Sequence, residues 1–167
     1  LKNSDPNTLN VILDAYGEGL SGAIFSGQGK EIQLLKEYKT ESSLGILYSG
    51  ITEWCGFSPN EDEYKIMALA GYGKPEFVSF IEQNIIQFNE NNLEISINSD
   101  YFNFEDSGKE TIKNSFIEKF GTLENDKAIL EQPEILNCIC SFQHVIENTV
   151  ISLINKLLLT HKEITQV

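Results

Sequence analysis

The side chains best placed to do chemistry are those of Leu13-Asp14-Ala15-Tyr16-Gly17-Glu18. Asp14 closes an apolar run and is followed by glycines at 17 and 19. An acid at such a strand end can bind a metal or orient a nucleophile while nearby N–H groups face phosphate oxygens. The same spacing fits an aspartate that only hydrogen-bonds its own turn. Gly17 permits close backbone approach, and Glu18 is either part of that site or a solvated turn acid. Lys65 could meet a phosphate or carbonyl oxygen, or simply pair with Glu61 one helical turn earlier. Gly71 and Gly73 could let the backbone approach a nucleotide, although ending a helix explains them equally well.

Composition limits the chemistry further. All 12 basic residues are lysines, and 25 carboxylates set the formal charge at −13. Such a surface repels nucleic acid and anionic lipid, whose binding rests on clustered Lys and Arg. Without arginine there is no bidentate clamp for phosphate or carboxylate, so an anion site must use backbone N–H groups, a lysine, a metal or residues outside the chain. Cys55, Cys138 and Cys140 are odd in number, which reads as a reduced, cytoplasmic protein. His144 and His161 show no zinc-ligand spacing and read as structural. Cys55 falls on an apolar helix face and reads as core, not as a nucleophile. No run of 18 or more apolar residues suggests a membrane span.

The elements that must hold these residues follow from periodicity. Residues 1–9 read as a lead-in. Apolar runs at 10–14, 20–25 and 31–38, separated by Gly-bearing connections, predict a three-stranded antiparallel meander. Leu44, Leu47, Tyr48, Ile51, Trp54 and Cys55 recur at helical spacing, with Ser42 or Ser43 as cap and Gly56 as stop. Asn60 is expected to cap a second helix carrying Glu61, Asp62 and Glu63 in its first turn. Pro75 is expected to open a third, with Phe77, Phe80, Ile81 and Ile85 on its apolar side. Residues 93–97 alternate as a strand, and 98–108 form an acidic, aromatic loop. A fourth helix is expected within 109–120, and 86–125 as a whole reads as an insertion. Beyond Pro133, Cys138, Phe142, Val145, Ile146, Thr149, Val150, Leu153, Leu157 and Leu158 form one long stripe, predicting the longest helix. The pattern reads as α/β, a meander with packed helices in one domain, and an α+β sandwich of another topology fits it as well.

Three stretches carry a resemblance. Ser43-Leu44-Gly45-Ile46-Leu47-Tyr48, then Thr52, Gly56-Phe57 and Glu63-Tyr64-Lys65-Ile66-Met67-Ala68-Leu69-Ala70-Gly71-Tyr72-Gly73, resemble the run SLGxLYxxxTxxLGF…EYKxMGLAxYG of the O-carbamoyltransferases. This is the family of the nodulation-factor and aminoglycoside enzymes. Leu13 to Glu18 resembles its LDGxGE, and Gln143 with Glu147 the Q…E pair of its long helix. The departures are Ala15, Ala68 and Cys55 in place of Gly, Gly and Leu. The resemblance implies the central part of a Kae1-like domain of ribonuclease-H-like, actin-like ATPase (ASKHA) architecture. It also implies a longer parent, with a paired-histidine metal motif before Leu1, a GGVALN nucleotide motif after Val167 and a YrdC-like second domain. The implied reaction moves a carbamoyl group from carbamoyl phosphate, through carbamoyl-adenylate, to a hydroxyl of a small molecule or sugar.

On the same resemblance, ATP and a divalent metal, iron, are the expected cofactors. Asp14 is the metal-binding and catalytic residue, and Lys65 is catalytic. Gly17, Glu18, Gly71 and Gly73, together with Asp14, line the cofactor. The isolated slice is expected to be inactive, and a homodimer is open to it. Two other readings stay in view. One is another actin-like enzyme, such as a threonylcarbamoyl transferase or a sugar kinase. The other is a non-catalytic domain whose acidic face and Tyr101, Phe102 and Phe104 bind a protein.

Overall fold

A computed structural model describes residues 7–104, 110–162 and 164. Most of the lead-in, residues 1–6, and residues 105–109 of the acidic loop and the expected fourth helix lie outside the described residues. The rest is a mixed α/β fold. Strands β1 (Thr8–Gly17), β2 (Leu20–Gln28) and β3 (Glu31–Lys39) pair antiparallel in the order β1-β2-β3. The expected meander is present, and longer than its apolar runs: Thr8 and Leu9, read as lead-in, belong to β1, where Leu9 is buried. Along β1 the two-residue period turns Leu9, Val11 and Leu13 toward the core and leaves Asn10, Ile12 and Asp14 exposed.

Helix α1 (Leu44–Trp54) follows β3, with Ser43 as its N-cap and Gly56 just beyond its C-cap at φ 77°. Helix α2 (Glu63–Ala70) begins later than expected. Asn60 does not cap it. Its backbone is left-handed at φ 67°, and its N–H donates to Glu63 Oε1 at 2.6 Å. The Asp62 carboxylate folds back to accept the Ser58 N–H and shapes the corner before the helix, while Glu63 stands in the first turn as expected.

Helix α3 (Val78–Asn84) also starts late, beyond Pro75. Strand β4 (Ile86–Asn89), which helical spacing conceals, then pairs with β5 (Glu94–Ile97), the strand expected near 93–97. Helix α4 (Asn114–Phe120) is shorter than the segment allowed. Ile112 lies outside it and bridges to Phe102. Helix α5 (Pro133–Thr160), the longest of the described helices, carries the expected stripe with Pro133 at its start, except that Leu158 is exposed.

The core lies where α5 meets α2, α3, α4 and β4. Phe102, Phe116 and Phe142 are all but inaccessible, and Phe116 stacks on Phe142 at 5.7 Å between ring centroids. Phe120 completes the cluster at 4.7 Å from Phe116. Burying aromatic rings edge-to-face and offset is the largest source of stability such a core has. Phe102 and Phe104 are therefore interior residues, which removes most of the aromatic loop from any protein-binding face. Among the described residues no helix is long and apolar enough to cross a membrane.

Candidate active site

Asp14 stands where β1 departs from regular pairing. The register with β2 shifts between Leu13 and Gly17, so residues 14–16 have no partner in the ladder. Glu18 and Gly19 then turn the chain into β2 with φ of 42° and 87°, the left-handed pair that a two-residue hairpin demands. Asp14, Gly17 and Glu18 are all exposed. One Asp14 carboxylate oxygen accepts the N–H of Ala15 at 2.7 Å. A side chain added at Gly17 would meet nothing closer than Leu20 O at 3.6 Å, so packing within the chain does not require glycine there.

The exposed bulge rests on α1. Ser43 Oγ lies 3.0 Å from Asp14 O and 2.8 Å from Ala15 O, and accepts the Ile46 N–H at 3.0 Å. Sequence reading finds Ser43 only as a cap, because its reach to β1 depends on how the helix docks.

Lys65 occupies a different setting. It pairs with Asp62 at 2.8 Å, not with Glu61, and its ammonium lies 5.1 Å from the Phe57 ring centre and 5.8 Å from that of Tyr64. None of these groups belongs to the β1–β2 hairpin. The hydrogen bond from Lys65, then that from the Ser58 N–H, holds the Asp62 carboxyl below its ordinary range. Gly71 ends α2 with right-handed backbone. Gly73 packs against α5, where an added Cβ would fall 2.0 Å from Leu136 O.

A second polar group joins α1, α2 and α5. Tyr48 donates its O–H to Gln143 Oε1 at 2.7 Å, and Gln143 Nε2 donates to Glu147 Oε1 at 2.5 Å. Ser49 donates to Glu63 Oε1 at 2.8 Å. Burial, with the Glu147 and Glu63 carboxylates adding to it, pushes the Tyr48 phenol up to about 12, so it remains a donor at neutral pH. The Gln143–Glu147 spacing is visible in the sequence, but its partner Tyr48 lies 95 positions away. Cys55 is buried and its thiol is pushed up to about 12 by that burial, as a core residue requires.

Among the described residues no three His, Cys, Asp or Glu side chains gather into a cluster that could hold a divalent metal. Asp14 offers a single carboxylate, which is too few ligands for a site of its own. These residues do not by themselves fit the ion.

The chain is a member of the carbamoyltransferase family, matching the group described as "Carbamoyltransferase N-terminus" over residues 5–166. It is 33% identical over 146 residues to the uncharacterized protein sll1178 of Synechocystis sp., covering 87% of this chain and 23% of that protein. It is 37% identical over 68 residues to the nodulation protein NolNO of Sinorhizobium fredii, covering 41% of this chain and 10% of that one. Against the uncharacterized protein MJ1058 of Methanocaldococcus jannaschii it is 59% identical over 34 residues, which cover 20% of this chain and 6% of that protein. The chain thus spans a quarter or less of the curated relatives it matches.

Proposed function

We propose that this chain is part of a longer, ATP-dependent O-carbamoyltransferase that moves a carbamoyl group from carbamoyl phosphate, by way of carbamoyl-adenylate, to a hydroxyl of a small molecule or sugar. The observation that carries the reading is the family match across residues 5–166. The similarity to NolNO supports it, and the antiparallel meander with α1 set on β1 supports a ribonuclease-H-like domain.

In the transfer step the acceptor oxygen bonds to the carbamoyl carbon, AMP departs with the electrons of the broken C–O bond, and the hydroxyl proton passes to a base. The chemistry needs a positioned carboxylate near the acceptor and donors for the developing oxyanion. Asp14 is the carboxylate, and Gly17 leaves the hairpin open to close approach. Gly71 and Gly73 end α2 and seat it on α5, so we assign them to support. Lys65, tied to Asp62, has the weaker claim to a catalytic role. The remaining ligands of ATP and of any metal would come from outside this chain.

The test uses the full polypeptide with radiolabelled carbamoyl phosphate, ATP and a panel of sugars and amino sugars. Label is expected on a hydroxyl acceptor, and Asp14→Asn should cut transfer by about a hundredfold, the scale of a lost general base, with unchanged melting. No ATP-dependent consumption of carbamoyl phosphate with any acceptor overturns the function. Full turnover in Asp14→Asn removes Asp14 from the site.

A further inference from the structure

Resting on that assignment of Asp14, we infer that Ser43 and Gly45, in the first turn of α1, are positioning residues for the transfer site. They fix the peptide unit between Asp14 and Ala15 and so set where the Asp14 carboxylate stands.

Both ends of that peptide unit are engaged. Its carbonyl, Asp14 O, lies 3.0 Å from Ser43 Oγ, and its N–H, that of Ala15, donates to Asp14 Oδ1 at 2.7 Å. Rotating the peptide would carry the Ala15 N–H away from Oδ1 and release the carboxylate. Because residues 14–16 have no ladder partner on β2, their carbonyls must find partners elsewhere, and Ser43 takes two of them.

Ser43 does more than a helix cap requires. A cap needs only an acceptor for the Ile46 N–H, which Asp or Asn would also supply. The hydroxyl proton is what reaches β1, shared between the carbonyls of Asp14 and Ala15. Ser43 is 1% exposed, so water cannot take over either role.

Gly45 makes the approach possible. A Cβ there would lie 2.6 Å from both the N and Cα of Ala15 and 2.9 Å from the carbonyl carbon of Asp14. Any side chain would push α1 off the bulge.

The test is a double-mutant cycle in the full polypeptide, using the acceptor found above. Ser43→Ala should lower kcat about tenfold, as misplacement of a reacting group does, with KM for carbamoyl phosphate little changed. Ser43→Thr, which keeps both hydrogen-bonding roles, should restore it. In an Asp14→Asn background Ser43→Ala should cost less than about twofold more, because Ser43 acts through Asp14. Thr52→Val, which removes a buried hydrogen bond to Tyr48 O further along α1, controls for simple destabilisation and should keep kcat. Independent, additive losses, or an equal loss in Thr52→Val, overturn the inference.

Should Ser43→Ala fail to fold, Ser43→Cys keeps the volume while weakening both bonds and carries the same cycle. Amide exchange separates this inference from the function it rests on. Faster exchange at Ala15 in the Ser43 variant, with Leu47 and Ile51 unchanged, supports the clamp even where Asp14→Asn is active. Unchanged exchange at Ala15 overturns it.

Discussion

Replacing Gly73 by alanine separates two explanations of the Gly-Tyr-Gly turn: a nucleotide cradle, and the seat of α2 on α5. The added Cβ would lie 2.0 Å from Leu136 O, 2.4 Å from Leu136 C and 2.9 Å from Asn137 N. All three are backbone atoms of a long helix, which cannot yield as a flexible side chain can. Relief to ordinary contact requires the junction to open by about 1.4 Å. Two hydrogen bonds across the junction would break: Lys74 N–H to Asn137 Oδ1 at 2.8 Å, and Phe77 N–H to Ser141 Oγ at 3.0 Å. Overpacking of this kind costs ~1–3 kcal/mol, and each lost bond ~1 kcal/mol. The expected destabilisation is therefore about 3–5 kcal/mol, a large share of the stability of a domain this size. It corresponds to a fall in Tm on the order of 10 °C. Urea unfolding followed by the fluorescence of Trp54, the single tryptophan, measures it directly. An unchanged midpoint with loss of ATP-dependent turnover would refute the packing argument and return Gly73 to the nucleotide.

Gly17→Ala is the converse. With nothing nearer than Leu20 O at 3.6 Å, its stability should stay within about 0.5 kcal/mol of the parent. Carbamoyl transfer should fall, and full activity would end the case for close approach at Gly17. For Asp62 the folded carboxyl lies below its ordinary range because of Lys65, so the stability it contributes is present at neutral pH and is lost as pH falls through that lowered value. The Tm difference between the parent and Asp62→Asn should accordingly be present at pH 7 and shrink on acidification toward pH 3, and a constant difference would contradict the pairing. Burial raises all three thiols, but Cys55 and Cys138 are buried while Cys140 is only partly enclosed. Native alkylation should label Cys140 first, and early loss of Cys55 would show that its helix opens.

Legibility in the sequence followed how local the cause was. The meander and α5 could be read because period-two alternation, glycine-bearing turns and a stripe free of Gly and Pro are statements about neighbours along the chain. The start of α2 could not. Asn60, Glu61, Asp62 and Glu63 have the composition of a capped first turn, but the Asp62 carboxylate is spent on Ser58 N–H and that of Glu63 on Asn60 N–H and Ser49. Strand β4 was hidden because Ile85 continues the helical spacing of Phe77 and Ile81. What stops the helix is tertiary: Asn98 Nδ2 donates to Asn84 O, and Ile86 pairs with Ile97. Asp14, Gly17 and Glu18 are candidates by residue type and spacing alone, while the Ser43 contacts to the Asp14 and Ala15 carbonyls span 29 and 28 positions.

The letters that resemble the carbamoyltransferase pattern thus divide into two kinds of work. In the run from Ser43 to Gly73, Ser43 and Gly45 meet the β1 bulge, Tyr48 meets Gln143 on α5, Glu63 closes the corner before α2, and Gly73 lies against the α5 backbone. Each makes a backbone or side-chain contact with another element, and the one carboxylate among them, that of Glu63, is hydrogen-bonded to Ser49 and Asn60. Asp14 is the reverse, an exposed carboxylate in a stretch that β2 leaves unpaired. A bulge so placed has no rigidity of its own, and its geometry is set by what lies behind it. On the proposed function, the run from Ser43 to Gly73 is therefore the frame, and the hairpin it holds carries the chemistry.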